Sequence, residues 1–322
     1  MPNNAISSVL REISDSAWIF ASLTVLAETG AISALKNDIG LLELGKLTGL
    51  PGPILMQQLK ILITLNCVSF DGIHYIFTKD MLALLETPEL EKRFVASLHS
   101  KFGQIREFEL AARNRQLNQG WQHVDETILQ AQGDISEVVA IDFIPANPNL
   151  QEKLRQTDAT FLDVGAGVGK IAMKVCELYP LVRAVAIEPA EKPFALAEKN
   201  IAKSAYKNRI ELRQMYIEAL QDENQFDVAW VAQAFIPKQA LVDGLHAIKR
   251  ALKPSGMLLT YASIDDDSQD LSANVNHLVA ALHGSFRTEL ELVTLLKEAG
   301  FADVKLLCES SKHRVITAVK PN

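Results

Sequence analysis

The chain has 322 residues, of which 48% are apolar and 22% charged, with a net charge of −7 at pH 7. That length holds about two domains of ordinary size, and the balance is that of a globular protein able to bury a large core. The negative charge opposes a nucleic-acid partner. No run reaches the ~18 apolar residues of a membrane span, and the opening MPNNAISSVLREISD lacks the basic-then-apolar form of a signal peptide.

Three cysteines, Cys67, Cys176 and Cys308, lie far apart in apolar settings and read as reduced thiols of a cytoplasmic protein. The seven histidines form no H-x-x-x-H or Cys/His cluster, so no metal site is expected.

Residues 1–100 read mainly as helices. Ile6, Val9, Leu10, Ile13 and Ala17 share one helical face, and Phe20, Leu23 and Leu26 continue an apolar helix. Leu41–Leu47 forms a short helix stopped by Gly49 and Pro51, and a second starts near Pro53. Two strand-like runs, 67–70 and 73–77, then flank Asp71-Gly72, a hairpin signal whose two central residues are expected at positive φ. Helix, turn, helix, hairpin is the order of a winged helix.

DNA binding is the obvious role for such a module, but its charges oppose it. Residues 1–100 carry seven Lys and Arg against ten Asp and Glu, a balance of −3. The second of the paired helices offers only Gln57, Gln58 and Lys60 as polar reading groups, where a phosphate-tracking surface needs several cations on one face. Dimerisation is the expected role, through the apolar first helix.

Residues 101–150 read as connecting helices, one marked by Phe102, Ile105, Phe108 and Leu110 and another starting between Trp121 and Leu129. Pro145 and Pro148 mark a break before the next domain. Residues 151–322 alternate strand and helix. Strands are expected at 160–164, 183–187, 210–213, 226–231, 257–261, 304–308 and 315–319, and helices at 192–204, 239–252 and 289–299. Repeated βα units imply a doubly wound, Rossmann-like parallel sheet with a ligand at the carboxyl ends of its strands, and the last two strands an antiparallel pair at one edge.

The run Phe161-Leu162-Asp163-Val164-Gly165-Ala166-Gly167-Val168-Gly169-Lys170 ends a strand at an acid and follows it with alternate glycines. A helical pattern opens behind it at Ile171, Ala172 and Val175. Removing side chains at a strand-to-helix turn lets a nucleotide-like ligand approach the backbone and the helix N-terminus. The next strand ends at Glu188-Pro189, placing beside that turn a carboxylate that can accept from two ribose hydroxyls.

These motifs resemble those of class I S-adenosylmethionine-dependent methyltransferases. The first two motifs of that family resemble FLDVGAGVGKIAMKVCELYPLVRAVAIEP, a later one LKPSGMLLTY, and the C-terminal helix-turn-strand LLKEAGFADVKLL. With the winged-helix N-terminus, the whole resembles the small-molecule O-methyltransferases of plants and bacterial secondary metabolism.

The resemblance implies S-adenosylmethionine as cofactor, a homodimer and a small-molecule acceptor, while charge and hydropathy leave neither nucleic acid nor membrane as an expected partner. It places Asp163, Gly165, Ala166, Gly167 and Gly169 around the methionine part of the cofactor, and Glu188 and Pro189 at the ribose. Family members often carry an Asp for the adenine after the third strand of the domain. Here Met215 or Tyr216 stands near that place, so adenine is expected to stack. Gln233, after the fourth strand, is either a further cofactor contact or a loop polar residue.

The phenol-methylating relatives carry a histidine base after that fourth strand. The corresponding run, Ala232 to Lys238, has none, and Ala234 or Phe235 falls at the position. A positioned base is worth about 10²–10⁴ in rate, so its loss favours acceptors that need none: a carboxylate, a neutral amine or an electron-rich carbon. A base could come instead from His283 or His277, or from His99 or His123 of the connecting region, with Trp121, Phe143, Phe235 and Tyr261 as walls of the acceptor pocket. Two other readings stand beside methyl transfer: a winged-helix regulator that binds the cofactor without catalysis, and a non-methylating enzyme using the cofactor's positive charge.

Overall fold

A computed structural model describes residues 3–116, 121, 123–263, 271–283, 287–309 and 313–322. The chain divides into two compact units, Met1–Glu109 and Leu110–Asn322.

In the first unit, α1 (Asn3–Glu28), α2 (Ala31–Ala34), β1 (Ile39–Gly40), α3 (Leu41–Thr48) and α4 (Gly52–Thr64) precede β2 (Val68–Phe70), β3 (His74–Phe77), α5 (Lys79–Leu84) and α6 (Pro88–Arg113). The three strands form an antiparallel sheet in the order β1-β3-β2. Leu26, Leu35, Leu44, Leu55, Leu59, Leu62 and Phe77 make its core. The C-terminal half of α1 enters that core through Leu23 and Leu26. Ile6, Val9, Leu10 and Ile13 in its N-terminal half stay exposed.

The hairpin differs from expectation. Phe70 faces Tyr75 and the Asp71 N–H bonds to the His74 carbonyl, so the central residues are Gly72 and Ile73. Gly72 alone among them has positive φ, at 105°. Asp71 acts instead through its side chain, whose Oδ1 accepts from the Ile73 and His74 N–H groups at 2.8 and 2.7 Å.

The second unit contains α7 (Glu126–Ser136), α8 (Pro148–Arg155), β4 (Thr160–Val164), α9 (Lys170–Leu178), β5 (Arg183–Ile187), α10 (Glu191–Lys203) and β6 (Ile210–Arg213). It continues with β7 (Phe226–Val231), α11 (Lys238–Ala251), β8 (Leu252–Ser263), α12 (Leu271–His283), α13 (Glu289–Glu298), β9 (Ala302–Glu309) and β10 (His313–Val319). The seven strands order as β6-β5-β4-β7-β8-β10-β9. They are parallel from β6 to β8, then antiparallel for the last two, with β9 at the edge.

The central strands β4 and β7 are buried on both faces, which is why they read as largely apolar runs, whereas β6 and β9 at the edges carry exposed polar residues. Phe161, Val228, Trp230 and Leu259 point to one core, while Leu162, Val164, Ala229 and Val231 point to the other. Since β4 sits between β5 and β7, chain direction across the sheet reverses there. The carboxyl ends of β4 and β7 therefore flank the crevice where a doubly wound fold takes its ligand.

The connecting region also departs from expectation. The helix marked by Phe102 and Leu110 begins much earlier, at Pro88. The helix expected to start between Trp121 and Leu129 starts at Glu126, where the Asp125 carboxylate caps it by accepting the Ile128 N–H at 3.1 Å, and Trp121 precedes it. A π-helical turn, Val139–Phe143, then leads to Asn147, whose side chain caps α8 with Pro148 in its first turn.

Candidate cofactor and acceptor site

One cavity of about 480 Å³ opens at the β4/β7 crevice, within the usual range for a small-molecule pocket. Its floor is the Gly-rich turn. Gly165, Gly167 and Gly169 have φ of 75°, 56° and 80°, a left-handed conformation strained for any residue with a Cβ. A Cβ on Gly167 would meet no protein atom within 4 Å, so the dihedral rather than protein packing favours glycine there.

Glu188 ends β5 and lines the cavity, 7% exposed. Its Oε2 accepts the Gly167 N–H at 2.8 Å and its Oε1 the Ala190 N–H at 2.9 Å. Burial raises its pKa, and these two N–H groups counter the rise. Beneath the turn, fully buried Asp163 accepts the Ala172 N–H at 3.1 Å through Oδ2, while Oδ1 has no partner among the described residues. Burial pushes the Asp163 pKa up to about 7, and the nearby Glu188 charge adds to the rise.

Of the residues expected at the cofactor, Gly165, Ala166, Gly167, Glu188, Pro189 and Tyr216 line this cavity. Asp163, Gly169 and Gln233 do not. Asp163 lies beneath the turn, and Gly169 begins α9, where a Cβ would stand 3.3 Å from Ile201 Cδ1. Gln233 is 2% exposed, donates to the Tyr261 carbonyl at 2.8 Å and accepts from Arg287 Nη1 at 2.8 Å. Its amide is thus engaged within the protein. Met215 and Tyr216 both line the wall, with Glu218 two residues beyond, a carboxylate that sequence reading passed over.

The rest of the wall is apolar and rich in aromatics. Trp121, Phe143, Phe235 and Tyr261 line it, joined by Trp230 from β7. Trp230 and Tyr261 stack with centroids 5.8 Å apart, and Trp121 meets Phe235 edge-on at 4.8 Å. Burial pushes the Tyr261 phenol up to about 12. From the run after β7, Ala232, Phe235, Ile236 and Pro237 reach the wall; Ala234 is buried outside it.

Helix α7 forms the facing wall through Leu129, Gln132, Gly133, Ile135 and Ser136. It is fixed to the Gly-rich turn by an Asp134–Lys170 ion pair at 2.8 Å. Asn200 ties in with it, donating to the Gln130 side chain at 3.0 Å and to the Val168 carbonyl at 2.9 Å.

His283 and His277 lie on α12, outside the cavity lining. His283 pairs with His123, Nε2 to Nε2 at 2.7 Å, and its Nδ1 sits 2.8 Å from the Val279 carbonyl. A carbonyl only accepts, so Nδ1 carries the proton. The neutral His283 ring then accepts at Nε2 from His123. Burial lowers both pKa values, that of His123 to about 4. The pair packs on Trp121, with ring centroids 4.4 and 4.9 Å away.

The site fits S-adenosylmethionine in its chemistry: a side-chain-free turn at a helix start, a buried carboxylate at the end of β5 able to accept from hydroxyls, and an apolar wall. Comparison with known proteins agrees. Residues 161–256 match the family model described as a methyltransferase domain. The tetracenomycin polyketide synthesis 8-O-methyl transferase of Streptomyces glaucescens is 27% identical over 171 residues, covering 51% of this chain and 50% of its own. The match thus spans about half the length of that relative.

Among solved structures, human N-acetylserotonin methyltransferase in complex with SAM superposes with a TM-score of 0.73 at 16% identity, over 100% of this chain and 99% of its own. An O-methyltransferase family protein from Burkholderia thailandensis gives 0.74 at 14% identity, over 98% of each chain. The second unit has the Rossmann-like fold of the class I S-adenosylmethionine-dependent methyltransferases. The chain as a whole has the fold of the small-molecule O-methyltransferases, and its cofactor is S-adenosylmethionine.

Proposed function

We propose that the chain transfers a methyl group from S-adenosylmethionine to a small, largely apolar acceptor, one that reacts without deprotonation by a histidine of the 232–238 run. One observation carries this reading: a single cavity joins the Gly-rich turn and Glu188 on one side to Trp121, Phe143, Trp230, Phe235 and Tyr261 on the other. Glu188 would hold the ribose, Gly165–Gly167 the methionine part, and Met215 and Tyr216 the adenine.

The cofactor, when bound, supplies a methyl group on a sulfonium, ready for in-line displacement. The protein's part is to orient and exclude water. The aromatic walls desolvate the acceptor, and α7 closes over the turn. Ala232, Phe235, Ile236 and Pro237 give the wall after β7 no group that takes a proton. This favours a carboxylate, a neutral amine or an electron-rich carbon over a phenol.

The first hundred residues would form a winged-helix module that dimerises through α1, with residues 101–150 connecting it to the catalytic domain at 151–322 in a cytoplasmic homodimer. No described helix is long and apolar enough to cross a membrane. The test is direct. The purified chain is incubated with S-adenosylmethionine and matched sets of aromatic acids, amines and phenols, and S-adenosylhomocysteine and methylated product are measured together. Equal amounts of both from an acid or amine support the reading. Turnover confined to phenols would overturn the acceptor assignment, and cofactor binding without product from any set would favour a cofactor-binding regulator.

A further inference from the structure

Arg287 is 3% exposed, yet no described residue forms an ion pair with it. Its guanidinium instead grips one short stretch of backbone. Nη1 donates to the Gln233 carbonyl at 2.7 Å and to Gln233 Oε1 at 2.8 Å, and Nη2 donates to the Ile236 carbonyl at 2.8 Å. Nε–H has no partner among the described residues. Burial lowers its pKa to about 10, opposed only by the charge of Glu291.

Burying a guanidinium without a carboxylate is costly, and well-packed apolar side chains commonly serve stability as well or better. What the charge supplies here is geometry. The oxygens it holds belong to the single 3-10 turn Gln233–Phe235 and the residue after it. That turn sets Phe235 and Ile236 on the cavity wall. Through Gln233, whose Nε2 donates to the Tyr261 carbonyl, the same guanidinium fixes the end of β8. Tyr261 in turn stacks on Trp230, and Phe235 meets Trp121.

We propose that Arg287 is the positioning residue of the acceptor wall, fixing Phe235, Ile236 and Tyr261 through Gln233 and thereby setting which acceptors fit. That this wall faces an acceptor rests on the function proposed above; that Arg287 shapes it does not.

The test uses the full chain labelled with 5-fluorotryptophan, which reports three sites: Trp121 and Trp230 in the wall and Trp18 in the first unit. Fluorine resonances, assigned with single Trp→Phe variants, are compared with S-adenosylhomocysteine affinity measured by calorimetry. Arg287→Met should shift or split the Trp121 and Trp230 resonances, leave Trp18 unmoved, and change S-adenosylhomocysteine affinity by less than about threefold, or about 0.65 kcal/mol. Arg287→Lys, which keeps one of the contacts, should fall between.

Gln233→Glu keeps an acceptor for Arg287 and loses the donor to Tyr261, so it should move Trp230 and spare Trp121. If Arg287→Met does not fold, Arg287→Lys and Gln233→Glu carry the test. Unmoved wall resonances would overturn the proposal, as would a global change at all three tryptophans with the conservative variants. If the unmodified chain fails to bind S-adenosylhomocysteine, the cofactor reading falls while the resonances still judge Arg287.

Discussion

The Gly167 N–H points at Glu188 Oε2 across 2.8 Å, while the other oxygen of that carboxylate holds the Ala190 N–H at 2.9 Å. One acid therefore fixes the Gly-rich turn and the start of the next βα connection, and it faces the cavity as well. Its loss would act twice, on the shape of the turn and on the charge-assisted contact proposed to the ribose. Glu188→Ala should weaken S-adenosylhomocysteine binding at least tenfold by calorimetry, a cost of about 1.4 kcal/mol or more. Glu188→Gln keeps an acceptor and should lose less. Unchanged affinity in the alanine variant would remove Glu188 from the ribose role.

Asp163 gives the fold a pH dependence of definite sign. Its carboxyl is raised from 3.8 to about 7 in the folded chain, first by burial and then by Glu188, whose own pKa is raised as well. A carboxyl with a raised folded pKa contributes stability that is full below its unfolded pKa and is lost as pH climbs through the folded one. Urea denaturation should therefore show stability falling from about pH 4 to beyond pH 7, by up to a few kcal/mol. Asp163→Asn should flatten that profile and match or exceed the parent at pH 8. A parent profile flat over this window would contradict the assignment.

The sheet was legible in the sequence because its central strands are buried on both faces. Four of its strands, 160–164, 183–187, 210–213 and 226–231, appear in the structure with the expected bounds. Strands 160–164, 183–187 and 226–231 are mainly apolar, while 210–213 at the edge alternates apolar and charged residues. The walls were legible only in part. Phe235 and Tyr261 stand next to strand ends, where topology places a ligand.

Trp230 lies inside a strand, and its alternation with Ala229 and Val231 turns it toward the cavity. Helix α7 was harder still, because what brings it to the turn is a glycine and an ion pair to residues more than thirty positions away. Gln233 and Arg287, separated by 54 residues, share a hydrogen bond that no local pattern announces.

That glycine, Gly133, supports a further prediction. A Cβ there would lie 2.3 Å from Val168 Cγ2 and 2.9 Å from Lys170 Cγ, on a buried valine and a lysine stem tethered by its ion pair. Alanine would gain about 1 kcal/mol of helix propensity at an open position. Overpacking costs about 1–3 kcal/mol and wins, because neither neighbour has a free end to move. Gly133→Ala should lower the melting temperature by a few degrees in calorimetry. It should also weaken S-adenosylhomocysteine binding, since α7 walls the cavity. A melting point equal to or above the parent's would mean that α7 shifts freely over the turn.

The exposed face of α1 tests the proposed dimer. Ile6, Val9, Leu10 and Ile13 follow three- and four-residue spacing and are 69%, 52%, 61% and 60% exposed, with Trp18 further along at 72%. Such a stripe is costly to leave in water, and a second copy of the helix could cover it. In a two-fold interface one substitution acts twice, so its effect on association is doubled. Losing the burial of one leucine costs about 1.5–3 kcal/mol per copy. Leu10→Glu should then weaken association by about 10²–10⁴ in Kd, and sedimentation equilibrium at micromolar concentration should find a monomer. Leu10 makes no part of the buried core, so the unfolding of each unit in that monomer should stay cooperative. A parent chain that is already monomeric would remove the interface from α1, and a dimer indifferent to Leu10→Glu would move it to another surface.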